Sequence, residues 1–201
     1  RAFTSLPDAL DYVKRQPTPV VVKADGLAAG KGSIVCQTHE DAIQAVQDIL
    51  GRRIFGAAGD RVLIEECLFG PEVSLLAFTD GKSVVPMVPA CDYKRAGDGD
   101  SGPNTGGMGS YSPPGFFGPE LLRQAQETVL EPTVRALARE GRPYSGVLYA
   151  GLMLTPEGPK TIEFNARFGD PETQVILPRL KTALVDILLA VIQGRLSEVK
   201  V

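Results

Sequence analysis

Residues 20–36, VVVKADGLAAGKGSIVC, limit what this chain can fold into more than any other stretch. Two runs rich in β-branched residues flank a glycine-rich turn, a pattern that predicts strand, turn, strand. A Walker A loop would need GxxxxGK followed by Ser or Thr, but Asp25 stands where its first glycine belongs and Gly32 follows Lys31. A phosphate loop of that type must also feed a helix, whose free N-terminal N–H groups help to hold the anion, whereas SIVC continues as a strand. Two readings fit the hairpin. It is a flexible turn with two solvated lysines, or it is a flap whose backbone amides close over a triphosphate, with Gly30 and Lys31 at its tip and Lys23 pointing inward. Other segments have to decide between them.

The flanking elements mix helices and strands without a strict βαβ alternation. SLPDALDYVKRQ begins a helix with Ser5 and Asp8 spaced as a capping pair and Pro7 in the first turn. THEDAIQAVQDIL puts Ala42, Ile43, Val46, Ile49 and Leu50 on one helical face behind Thr38 as N-cap. RVLIEE is a short buried strand, and EVSLLAFTDGKSVVPMV is a hairpin with a DG turn. A long glycine-rich loop covers residues 89–114. A helix over residues 119–140 should bend at Pro132, and strands GVLYAGLML and KTIEFN precede a helical C-terminal stretch from Glu172 onward. The sum is an α+β architecture with mainly antiparallel sheets. A subdomain boundary is expected near Leu68, giving parts 1–67 and 68–201.

Bulk properties exclude several functions. The net charge of −3 gives no global field for nucleic acid or an anionic membrane, so an anionic ligand must be held by local groups. No window approaches the ~18 apolar residues of a membrane span. Cys36, Cys67 and Cys91 are odd in number and lack CxxC spacing, which favours a reduced, cytoplasmic setting over a disulfide framework or zinc site. The start RAFTSLPDAL has neither an initiator methionine nor a signal-peptide layout, so the chain is expected to be cut from a longer protein.

Alternation along TIEFNARFGDPE places Glu163 and Asn165, with Arg167 beyond them, on one strand face, and Phe164 on the other. A carboxylate and a carboxamide oxygen side by side suit a hard cation such as magnesium, which takes one or two carboxylates and completes its shell with phosphate oxygens and water. Glu65 and Glu66, adjacent on a strand, must face opposite ways, so at most one lines a pocket. The segment DYKRAGDGDSGPNTGGMGSYSP crowds Lys94, Arg95 and several acids among glycines that permit close backbone approach to a ligand. The lone His39 sits just inside a helix start, where a solvent-facing structural role is expected.

Taken together, KADGLAAGKG, IEECLFGPEVS, DYKRAGDGDSGPNTGGMGSYSP, YAGLML and IEFNARFGDPET resemble the ATP-grasp core of the glycinamide ribonucleotide synthetase (phosphoribosylamine–glycine ligase) family, in the right order over nearly the whole chain. IEFN occurs across ATP-grasp enzymes, while GPNTGGMG and RFGDPET are specific to this ligase. The resemblance implies an ATP-grasp fold in which two subdomains grip ATP. It implies ATP-phosphate contacts from Lys23, Gly30 and Lys31, an adenine hinge at Glu65, Glu66, Cys67 and Leu68, and a ribose contact from Glu72. Glu163 and Asn165 would bind Mg2+ or Mn2+. Pro89, Asp92, Lys94, Arg95, Asn104, Thr105, Gly106 and Gly107 would lie at the glycine and phosphoribosylamine site. Arg167 and Asp170 lie nearby in this scheme, and with Lys31 they would carry the catalysis.

The implied reaction passes through a glycyl phosphate and yields glycinamide ribonucleotide, ADP and phosphate in purine biosynthesis. It needs no enzyme nucleophile. Tyr93 stands where many relatives carry histidine. The family also has an N-terminal Rossmann-like domain with a further nucleotide-binding lysine, and a C-terminal domain, so this polypeptide alone is expected to bind ATP weakly and turn over poorly. Two rivals remain at this point: another ATP-grasp carboxylate-amine ligase or carboxylase, and a silent nucleotide-binding module.

Overall fold

In a computed structural model the chain divides into two compact units, Arg1–Leu68 and Phe69–Val201. Residues 1–28, 31–99 and 101–201 are described, with side chains at all of them except 103 and 104.

The first unit is built on strands β1 (Ala2–Phe3), β2 (Val20–Ala24), β3 (Ser33–Cys36) and β4 (Val62–Glu66), with helices α1 (Leu6–Lys14) and α2 (His39–Val46). The strands form one antiparallel sheet in the order β1-β4-β2-β3. Period-two alternation sends Val20, Val22, Val62 and Ile64 into a core shared with Ala9, Val13, Ala42, Val46 and Ile49 of the helical segments. Each such aliphatic side chain contributes about 1.5–3 kcal/mol on burial.

The helix starts follow the sequence. Thr38 Oγ1 accepts from the Asp41 amide and Asp41 Oδ2 accepts from the Thr38 amide, each at 3.1 Å, a reciprocal capping box. The end of α2 differs from the simple periodic expectation. Its last residues, Gln47–Gly51, widen into a π-turn closed by Arg52 N–H to the Gln47 carbonyl at 2.8 Å. Ile49 remains fully buried there, and a Cβ at Gly59 would stand 2.4 Å from the Ile49 carbonyl oxygen, so the following loop lies flush against that turn. His39 also departs from its solvent-facing expectation: it is half-buried, and its Nε2 lies 2.9 Å from the Gln16 carbonyl oxygen.

The second unit contains β5 (Glu72–Asp80), β6 (Val84–Pro86), β7 (Cys91–Asp92), β8 (Arg95–Gly97), β9 (Ser101–Asn104) and β10 (Ser110–Tyr111). Helices α3 (Pro119–Ala125) and α4 (Glu131–Arg139), strands β11 (Ser145–Thr155) and β12 (Gly158–Asn165), and helices α5 (Glu172–Ile176) and α6 (Leu184–Ile192) complete it. The main sheet has the order β12-β11-β5-β6, and every strand pair among the described residues is antiparallel. Helices cover both of its faces. Val73, Leu75, Leu148 and Leu152 meet Ala125, Val129, Leu130 and Val134 on one side. Leu76, Phe78 and Val147 meet Ile176, Ile187 and Val191 on the other. That double cover explains why β5 is buried without interruption from Val73 to Thr79 and shows no polar alternation.

Three expectations need adjustment. The residue 119–140 helix is disturbed just before Pro132, by a π-turn at Gln126–Leu130, because proline supplies no amide and the preceding turn opens to fit its ring. The C-terminal stretch is not one helix. It breaks through a short 3-10 turn at Leu177–Arg179, which contains Pro178, and an extended Leu180. The glycine-rich loop is not structureless either. Ser110 and Tyr111 pair with Asp92 and Cys91, and inside that ribbon Arg95 pairs with Asn104 and Gly97 with Ser101, a hairpin nested within a hairpin.

Candidate functional site

In the first unit the lysine hairpin is the chemically loaded element. Lys23 leaves the sheet on the face opposite the helical core, as does Glu65, and their charged ends meet at 2.6 Å. Glu66, one residue on, pairs with Val20 and faces the other way at the exposed strand end. Lys31 is exposed, and its amide donates to the Ala28 carbonyl at 2.9 Å, while Ala24 N–H to the Gly32 carbonyl at 2.8 Å closes the hairpin. A Cβ on Gly32 would meet the Ala28 methyl at 2.6 Å, so this turn requires glycine. Gly30 lies outside the described residues. After β4, Cys67 and Leu68 are half-buried, and burial pushes the Cys67 thiol above its ordinary range.

In the second unit the register of β5, β11 and β12 gathers a polar face. Met153 pairs with Glu72, Gly151 with Ser74 and Glu163, and Tyr149 with Leu76 and Asn165, so all of these project to the same side. Glu163 and Asn165 are neighbours there, with Asn165 Nδ2 donating to Glu163 Oε1 at 3.2 Å. The glycine at 151, opposite Glu163, lines a small cavity together with Glu72, Ser74, Asp92 and Lys94. No group of three or more His, Cys, Asp or Glu among the described residues forms a closed metal cage. One carboxylate and one carboxamide on an open face instead fit a cation that keeps substrate phosphate oxygens and water as its other ligands.

The nested ribbon brings Lys94 to that face, its Nζ donating to Glu72 Oε2 at 2.9 Å. Burial alone would lower the Lys94 pKa, but Glu72, then Glu163 and Asp92, outweigh it and hold the ammonium above its usual range. Asp92 behaves oppositely. Burial, reinforced by the charge of Glu172 and only partly offset by Lys94, pushes its carboxyl up, and its Oδ1 is a buried oxygen with no hydrogen-bond partner. Pro89 is buried, with its carbonyl accepting from Ser112 Oγ at 2.7 Å.

The ribbon is locked onto the turn that follows β12. Ser110 Oγ donates to the Pro171 carbonyl at 2.7 Å, and Gly107, at φ +114°, lies so close that a Cβ would stand 2.4 Å from Pro171 Cδ. Thr105 Oγ1 donates to the Lys94 carbonyl and accepts from the Gly107 amide. Arg95 and Gly106 are exposed, and Arg95 donates to the Gly102 carbonyl at 2.9 Å. Asn104 pairs through its backbone. Across the turn, exposed Arg167 places its guanidinium carbon 6.0 Å from the centre of the Tyr149 ring, and exposed Asp170 accepts from Gln174 Nε2 at 2.7 Å.

Within the second unit the structure therefore brings together Glu72, Asp92, Lys94, Glu163 and Asn165, with Gly107 and the turn bearing Arg167 and Asp170 joined through Pro171. Arg95 points back to its own ribbon. Sequence reading passed over Ser74, Tyr149 and Glu172, which lie buried under this face and bond to one another. A polar Ser74 inside the apolar run of β5, two residues after Glu72, was the available signal.

A profile of the phosphoribosylglycinamide synthetase ATP-grasp (A) domain matches residues 1–173. The phosphoribosylamine–glycine ligase of Halalkalibacterium halodurans is 57% identical over 98% of this chain, which spans 46% of that relative. The trifunctional purine biosynthetic protein adenosine-3 of Gallus gallus is 54% identical over 98% of the chain, which spans 20% of it. Among solved structures, the phosphoribosylamine–glycine ligase of Thermotoga maritima superposes with a TM-score of 0.87 at 37% identity, covering 96% of this chain and 49% of that one. The chain thus spans about half the length, or less, of the relatives it matches. With the profile covering most of its residues and the antiparallel α+β layout described above, the chain has the ATP-grasp fold and belongs to the phosphoribosylglycinamide synthetase ATP-grasp (A) domain family.

Proposed function

We propose that this chain is the ATP-, metal- and substrate-binding core of a phosphoribosylamine–glycine ligase, acting in purine biosynthesis. The observation that carries the reading is the convergence of Glu72, Asp92, Lys94, Glu163 and Asn165 on one face of one sheet. In the first step a glycine carboxylate oxygen attacks the γ-phosphorus of ATP and the bond to the β-phosphate oxygen breaks, giving glycyl phosphate and ADP. In the second, the amine nitrogen of phosphoribosylamine attacks the acyl carbon, and the C–O bond to phosphate breaks. The departing phosphate takes up the proton that the nitrogen loses, and glycinamide ribonucleotide and phosphate leave.

Neither step requires a nucleophile from the protein, so the chain's residues act by holding reactants and neutralising charge. Lys23 and Lys31 receive the ATP phosphates, and Lys23 exchanges part of its bond to Glu65 for a phosphate oxygen. The backbone around Glu65, Glu66, Cys67 and Leu68 reads adenine, and Glu72, fixed by Lys94, accepts from ribose hydroxyls. Glu163 and Asn165 would hold Mg2+ or Mn2+, which when bound would neutralise charge on phosphate oxygens. Pro89, Asp92, Lys94, Thr105, Gly106 and Gly107 shape the glycine and phosphoribosylamine site, flanked by Arg167 and Asp170. The partners are small molecules, and neither nucleic acid nor membrane is among them. No helix of the described residues is long and apolar enough to cross a membrane.

The test is ADP release by the full-length protein that carries this chain, with glycinamide ribonucleotide detected by mass. Release that depends on both glycine and phosphoribosylamine is expected. Release supported by bicarbonate or another acid, but not by glycine, would falsify the reading.

A further inference from the structure

The buried polar or charged side chains among the described residues are Ser74, Thr79 and Glu172. Thr79 serves the β5–β6 turn, where its hydroxyl accepts from the Gly81 amide at 3.1 Å. The other two have no such local use. Glu172, 2% exposed, opens α5, and its Oε1 accepts from Ser74 Oγ on β5 at 2.8 Å and from Tyr149 Oη on β11. The two hydroxyls lie 2.8 Å apart and complete a triangle spanning three elements. A carboxylate buried this deeply costs several kcal/mol unless it is fully bonded, and an apolar residue of similar size would pack here without that cost. Stability alone therefore does not account for it.

What the triangle touches supplies the reason. From Glu172 the chain runs back to the turn bearing Arg167 and Asp170. A Cβ on Gly169 would lie 2.4 Å from Glu172 Oε2, so the turn is folded directly over the carboxylate. Tyr149 offers its ring to Arg167. Ser74 exchanges two backbone hydrogen bonds with Ala90, at 2.8 and 3.0 Å, immediately before the strand that carries Asp92 into the nested ribbon. The ribbon and the turn are far apart in sequence, and the triangle touches both, the ribbon through Ser74 and the turn through Glu172 and Tyr149.

We propose that Glu172, Ser74 and Tyr149 form a buried clasp that holds the Asp92–Lys94 ribbon and the Arg167–Asp170 turn in fixed register, with Glu172 as its central positioning residue. What the clasp serves rests on the ligase reading: it sets the glycine side of the site and leaves the ATP lysines untouched. Glu172→Gln keeps the volume and an acceptor oxygen but removes the charge to which both hydroxyls donate, and Tyr149→Phe removes one hydroxyl while keeping the ring for Arg167.

Two measurements on the full-length protein decide the matter. In hydrogen exchange, Glu172→Gln should speed the amides of residues 91–111 and 166–171 together, by roughly tenfold for a lost charged hydrogen bond, with residues 20–36 unchanged. In steady-state kinetics, kcat/KM for glycine should fall about 10- to 100-fold in Glu172→Gln and about fivefold in Tyr149→Phe, while KM for ATP stays within about twofold. If Glu172→Gln fails to fold, Tyr149→Phe and Ser74→Ala carry both readouts. Exchange that rises in only one segment, or in neither, sinks the clasp. So does an equal loss for glycine and ATP. A wild-type protein that releases no ADP with glycine would defeat the ligase reading instead, and exchange would still decide the clasp.

Discussion

The two units handle charge in opposite ways. In the first, Lys23 and Glu65 form a partly exposed pair, their side chains 19% and 40% accessible, and Lys31 stands in solvent. In the second, Glu172 is sealed and bonded, Asp92 is half-buried with an unpartnered oxygen, and Lys94 is surrounded by carboxylates. An exposed cation meets an incoming anion at little desolvation cost and holds it loosely. A preset, partly dry cluster has paid that cost in folding and discriminates by geometry. In the proposed function the hairpin would capture the polyphosphate, and the polar face of the second unit would align the substrates.

The largest effect should come from breaking the preset side. Replacing Glu163 and Asn165 together by alanine is expected to lower turnover on the order of a thousandfold and to abolish the magnesium-dependent rise in melting temperature expected of the wild type with ATP. Protection that survived the double substitution would remove the metal from this strand.

Next come the lysines, which test the capturing side. Lys31→Met should weaken ATP binding about tenfold, the loss of one charge-assisted contact. Lys23→Met should cost more, because it leaves the Glu65 carboxylate without the lysine it pairs with, beside the proposed phosphate position. Lys23→Met/Glu65→Gln should recover part of that loss, as a calorimetric titration can show. Equal effects of the two single substitutions would mean that the ion pair at 2.6 Å has no bearing on the nucleotide.

A smaller effect, on folding, probes how the ribbon docks. Gly107 has φ +114° and no room for a Cβ against Pro171, whereas Gly106 has nothing within 4 Å. Gly107→Ala should destabilise by about 2 kcal/mol in denaturant titrations, and Gly106→Ala by less than ~0.5 kcal/mol. Comparable values would show that the ribbon is not held at Pro171.

The same division explains what the residues gave away in advance. The lysine hairpin and the Glu163/Asn165 pair were legible because each depends on alternation within one or two adjacent strands. The Thr38 N-cap and the DG hairpin were local as well. Glu172 was not singled out, since its partners lie 98 and 23 residues away and meet it only through the register of β5 and β11. Asp92 and Lys94 could be named but not distinguished, because their opposite fates depend on which carboxylates the nested ribbon brings beside them. The π-turns at Gln47–Gly51 and Gln126–Leu130 were invisible to a 3.6-residue period, as such turns keep the apolar face and change only the closing bond.

Asp92 itself offers the finest test of the preset cluster. Its folded-state pKa is raised, chiefly by burial and then by Glu172, so its protonated form is the better bound one in the native state. Its contribution to stability is therefore fully present below the ordinary aspartate range near pH ~3.9 and is lost as pH rises through the higher folded value. An asparagine in its place would have no such titration. Asp92→Asn should accordingly melt above wild type at pH 7, by about 2–4 °C for each kcal/mol that ionisation costs in a protein of this size, and the advantage should vanish below about pH 3.5. Calorimetric scans at the two pH values, without ligand, make the comparison. A gain independent of pH would mean that the aspartate is disfavoured by packing alone, and a loss at pH 7 would mean that Lys94 stabilises the carboxylate by more than burial and Glu172 oppose it.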